Sequence, residues 1–258
     1  MLPDEASDPR VVAAPGPAQV PSQHDTQHGA QQRGSRPSLR ALGVHRPVRP
    51  APARTEVLRC TSAALRAVHG IALAGDADPR ALAHAVESDP VLCLRLLHLA
   101  NAGHRPGGAV DTVPQALAVL GSSAVEGLAR ELAATATATP MPGLARVLTR
   151  ALACEELAAD RAAFTVGLLS GLASELGVPE ELVVQVAGVS QETADAVRLG
   201  RGPLGRILHG VLAYEASDPA GLARSGLAAV DVYDTYLRSA ADAMATAAAL
   251  GTTSGGHR

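Results

Sequence analysis

The sequence has no tryptophan, one phenylalanine and three tyrosines in 258 residues. Aromatic platforms stack single-stranded bases, and strands favour aromatic and β-branched residues, so a base-stacking reader, a β-sandwich and a barrel all fit poorly. Lysine is absent as well, since all 22 basic residues are arginine, and a Gly-Lys-Ser/Thr phosphate loop is thereby excluded. The three cysteines, Cys60, Cys93 and Cys154, form no Cys-x-x-Cys pair. Neither a zinc site nor a disulfide framework is indicated, and Cys93 and Cys154, among apolar neighbours, read as small buried thiols. No apolar run approaches the ~18 residues of a membrane span, and no basic-then-apolar leader opens the chain. The expected location is the cytoplasm, with no membrane partner.

Alanine and leucine dominate what is there, and alanine is the strongest helix former, so the expected fold is all-α. The net charge of −3 is unevenly spread: residues 1–54 hold seven arginines against four acids, leaving fifteen against twenty-one in the rest. An acidic body makes nucleic acid an improbable partner. Residues 1–53 are rich in Pro, Gly, Gln and Arg without a hydrophobic period and read as a disordered arm, with 251–258 as a similar tail. Between them the punctuation is helical. Asp78-Pro79 and Asp89-Pro90 each put a capping carboxylate before a proline at the first helical position. Thr112 precedes Pro114, and Ser123 with Glu126 forms a capping box just after Gly121. Further starts fall near Pro142, Pro179, Ser190, Pro203 and Pro219, with stops at Gly177, Gly200 and Gly251. About ten helices result, and 163–176, apolar nearly all round, reads as the central one.

The segment from Asp89-Pro90 through Leu96-Leu97 to Ala100-Asn101, followed by Ala116 and Leu120-Gly121, resembles the signature of the HDOD domain, an HD-related helical bundle. One departure is Ala102 where the family has serine. Downstream, Gly167-Leu168-Leu169-Ser170, Gly202 to Leu208, and Tyr214-Glu215 look like the HDOD half of EAL–HDOD two-domain signalling proteins. The resemblance spans 54–250, a signature half at about 54–140 and a further helical half at about 141–250. Residues 1–53 are too short for an EAL barrel, so cyclic-di-GMP hydrolysis by such a domain is not implied.

The resemblance also brings a test for chemistry. HD phosphohydrolases hold divalent metal with a His, a His-Asp pair and a further Asp. Where the His-Asp pair would follow Gly-Leu-Leu, this chain has Ser170-Gly171, and where an earlier helix would offer His it has Arg150. Neither metal nor cofactor is expected, and catalysis is not. A literal His24-Asp25 pair lies in the arm, with nothing to orient it. His69, His84, His98 and His209 follow no ligand spacing and read as surface residues. Ser170 lacks the nucleophile-elbow pattern, and Gly200 to Gly205 reads as an interhelical loop. Asp89 reads as a helix cap and Asn101 as a bond to the next loop, so the signature is expected to be architecture. The expectation is a non-catalytic bacterial signal-transduction module acting through a regulatory protein partner, with homodimerisation possible. The alternatives are a divergent metal phosphodiesterase and a non-hydrolysing cyclic-dinucleotide sensor using Arg146, Arg150 and Arg161. Val232, Tyr233, Tyr236 and Leu237 form the candidate partner surface.

Overall fold

The computed structural model describes residues 58–74, 78–103 and 108–252. The arm at 1–53, the His24-Asp25 pair and residues 253–258 lie outside them. Eleven helices occupy the described residues: α1 (Ser62–Leu73), α2 (Pro79–Glu87), α3 (Pro90–Asn101), α4 (Val113–Ala133), α5 (Leu144–Ala158), α6 (Arg161–Leu176), α7 (Glu180–Ala187), α8 (Gln191–Leu199), α9 (Gly202–Glu215), α10 (Pro219–Ser225) and α11 (Ala229–Thr252). No strand occurs among them, and one isolated bridge joins Thr61 to Thr137. The fold is all-α.

Local chemistry sets most boundaries. The side chains of Asp78, Asp89, Thr112, Asp160, Ser190 and Asp218 each accept a hydrogen bond from a first-turn N–H, satisfying donors that a helix start leaves open. Gly177, Gly188, Gly200 and Gly226 end helices in the left-handed region, where a side chain would be strained. Gly121, at φ 75° and ψ 163°, interrupts α4 and bends it into two segments. The stop at Gly251 is a correction, because α11 continues through it to Thr252.

The core is aliphatic. Every residue of α6 from Ala163 to Ala173 is buried, so this helix is enclosed on all sides by α5, α7, α8 and α9. Leu92, Leu96 and Leu97 of α3 are equally enclosed. Each such leucine contributes about 2 kcal/mol relative to exposure. Burial pushes the thiols of Cys60 and Cys154 up to about 12, so all three cysteines, each buried, are inert packing groups.

Candidate functional site

Helices α5 and α6 pack on one another more extensively than any other pair of described helices, and glycine lets them approach closely. A Cβ at Gly167 would sit 2.6 Å from the carbonyl oxygen of Arg150, and one at Gly171 would sit 3.1 Å from the Cα of Val147. These two glycines, one turn apart, let the backbones touch. Leu168 and Leu169 between them are fully buried.

Arg150 lies in the middle of α5 and is only 7% exposed. Its guanidinium forks onto Glu215 at the end of α9, with Nε donating to Oε1 at 3.1 Å and Nη2 to Oε2 at 2.5 Å. Its Nη1 donates to Ser170 Oγ at 3.2 Å, and that hydroxyl donates onward to Glu180 Oε1 at 3.5 Å. Tyr236 OH of α11 donates to Glu215 Oε1 at 3.4 Å. Burial, and next the Glu215 charge, push the Tyr236 phenol up to about 12. Burial also raises the Glu180 carboxyl, opposed by the Ser170 hydrogen bond and by Arg150. All three tyrosines of the sequence gather here: the Tyr214 ring lies 4.8 Å from that of Tyr236 and 6.3 Å, edge-on, from that of Tyr233.

The two positions that the resemblance sets against metal ligands, Arg150 and Ser170, are thus brought together, as a cation and a hydroxyl in direct contact. A guanidinium remains protonated at any relevant pH, and its two-point grip on Glu215 is the geometry that Arg and carboxylate favour. Gly171 offers no ligand and faces α5. These residues do not fit a divalent metal, and no three His, Cys, Asp or Glu side chains among the described residues come together as a metal-holding group.

The signature residues are elsewhere. Asp89 Oδ1 accepts from the N–H groups of Val91 and Leu92 at 3.0 and 3.2 Å, while Oδ2 accepts from Thr61 N and Oγ1 at 2.7 and 2.9 Å. One carboxylate therefore caps α3 and fixes the start of α1. Pro90 fills the first turn of α3. Asn101 Nδ2 donates to the carbonyls of Val110 and Ala187 at 2.9 and 3.1 Å, and its Oδ1 accepts from Val110 N at 2.8 Å. Ala116 is buried and Leu120 packs partly against the core.

The proposed partner surface needs correction. Val232 is fully buried, and Tyr236 is half-buried with its hydroxyl on Glu215, whereas Tyr233 and Leu237 are 50% and 48% exposed. The four belong to two faces of α11. His69, His84, His98 and His209 are all exposed, and His98 Nδ1 lies 2.8 Å from the Val186 carbonyl. Arg146 pairs with Glu175 at 2.6 Å, and Arg161 with Glu87 and Glu155 at 3.2 and 3.1 Å, so with Arg150 each arginine considered for a nucleotide is held by a carboxylate. A separate cleft of about 320 Å³ lies between α1 and α4, lined by Leu65, Arg66, His69, Ala129 and Arg130 among others.

Residues 62–178 match the family model of the HDOD domain. The chain carries an HDOD domain. The match ends before Glu180, Glu215 and Tyr236, so Arg150 and Ser170 reach from the matched residues to helices beyond them. Two crystal structures of the MmoQ response regulator from Methylococcus capsulatus str. Bath are similar in fold at 21% identity. One has a TM-score of 0.55 and covers 70% of this chain and 98% of that one. The other, of fragment 20–298, has a TM-score of 0.53 and covers 68% and 93%. No curated protein matches the chain. The HDOD family suggests a signalling or regulatory role.

Proposed function

We propose that this HDOD protein is a non-catalytic module of signal transduction that works by contact with another protein. The observation carrying this reading is the buried Arg150 guanidinium, gripped by Glu215 and in contact with Ser170. A fixed cation stands where the fold's enzyme relatives gather positive metal, and it is already neutralised by its own carboxylate. On this reading the domain acts through its helical surface. The likeness in fold to a response regulator agrees with a regulatory role.

The test is turnover by the purified full chain supplied with Mn, Fe or Mg, against cyclic dinucleotides, nucleotides and simple phosphoesters. Blank assays are expected throughout. Metal-dependent turnover that vanishes in Arg150→Ala or Ser170→Ala overturns the reading and restores a divergent phosphodiesterase. Calorimetry with cyclic-di-GMP is expected to show no heat; saturable binding without turnover would make the protein a sensor instead. Affinity capture by the chain with and without residues 1–53 then identifies the partner and the half that holds it.

A further inference from the structure

Helix α11 is apolar on two sides, and only one of them is covered. Val232, Thr235, Ser239, Ala243 and Leu250 are buried, chiefly against α5. At about 100° per residue, Val230, Tyr233, Leu237, Ala241, Met244 and Ala248 fall on the opposite side, in a stripe roughly 80° wide. Val230, Tyr233, Leu237 and Met244 are 62%, 50%, 48% and 59% exposed, and both alanines are exposed as well. A surface helix ordinarily turns charge to water opposite its core face. Here charge is confined to one flank, as Asp231, Asp234, Arg238 and Asp242, and Arg238 is bound to Glu156 of α5 at 2.6 Å.

We propose that this stripe is the contact face of a homodimer, with α11 packed antiparallel against the same helix of a second copy about Leu237. Residue size selects that arrangement. A two-fold contact must be complementary to itself. With Leu237 at the centre, Tyr233 faces the partner subunit's Ala241, Val230 faces the partner subunit's Met244, and large residues meet small ones or fit end to end. A parallel pair would instead set Tyr233 and Met244 level with their own counterparts, large residue on large, with no small residue opposite to receive them. The inference holds whether or not the domain has catalytic activity.

Analytical ultracentrifugation of the full chain across a concentration series tests it. A reversible dimer is expected, and Leu237→Arg should weaken it by roughly thirtyfold or more. Val119→Arg, at an exposed apolar position of α4 (41% exposed), should leave it unchanged, and circular dichroism checks that both variants fold. Orientation follows from oxidative cross-linking, since the three native cysteines are buried. Leu237→Cys should link to itself, and Val230→Cys should link to Met244→Cys in a mixture but not to itself. A monomer at every concentration overturns the proposal, whether residues 1–57 or a different protein then covers the stripe. So does a dimer indifferent to Leu237→Arg, or one in which Val230→Cys links to itself.

Discussion

Two kinds of polar arrangement sit inside this bundle, and they differ in what answers the side chain. Around Asp89 and Asn101 the partners are mostly peptide groups: the N–H of Thr61, Val91, Leu92 and Val110, and the carbonyls of Val110 and Ala187. Around Arg150 the partners are the side chains of Glu215 and Ser170. A peptide group cannot be substituted away, so the first arrangement fixes the identity of its residue. The second fixes only that both partners agree, and it can be replaced as a set. The recognisable signature residues Asp89 and Asn101 belong to the first kind.

The largest effect expected from breaking this contrast is at Arg150. Arg150→Ala strands Glu215 and should cost about 3 kcal/mol in urea unfolding, at the low end for a buried pair because Glu215 keeps some contact with water. The double change Arg150→Met with Glu215→Leu should recover to within about 1 kcal/mol of the parent or exceed it. A double variant as unstable as the single one would erase the distinction. Asn101→Leu should cost about 2 kcal/mol, because Val110 and Ala187 lose partners that no second substitution restores. Gly167→Ala sharpens the contrast from another side: its methyl group would press on the Arg150 carbonyl, and the loss should be about 1–2 kcal/mol, with the Arg150–Glu215 grip disturbed as well.

The smallest effect is electrostatic and lies at a third, half-exposed cluster. Burial lifts the Glu87 carboxyl from 4.5 to about 7, with Glu155 adding to the rise and Arg161 opposing it. Arg161 loses that contest because it is 55% exposed and shared between both carboxylates. The folded chain therefore keeps a proton on Glu87 that the unfolded chain releases, and stability falls as pH rises from about 4.5 to 7. Urea midpoints at pH 5 and pH 7.5 should show that decline, and Glu87→Gln should remove most of it.

Much of the fold was legible because it is written locally. Asp78, Asp89 and Thr112 each precede a proline that fits a first turn, and each caps a helix. The Arg150 position was legible through the family resemblance, but its partners were not. Glu215 is 65 residues away, and nothing in its neighbourhood separates a buried carboxylate from a solvated one. Thr61 as a second partner of Asp89 is hidden in the same way, 28 residues off. On α11 the helical period resolves two stripes, Val232-Thr235-Ser239-Ala243 and Tyr233-Leu237-Met244, yet both are largely apolar. Periodicity alone cannot choose which one meets the core, and grouping Val232 with Tyr233 mixed the two.

The contact between Gly171 and Val147 also bears on how far α6 tolerates substitution. A Cβ at 171 would sit 3.1 Å from the Val147 Cα, whereas one at 167 would sit 2.6 Å from the Arg150 carbonyl oxygen. At Gly171, Val147 needs to give by only a few tenths of an ångström, while at Gly167 it is backbone that stands in the way. Tolerance to a side chain should therefore rise along α6 from Gly167 to Gly171, where the seam with α5 begins to loosen.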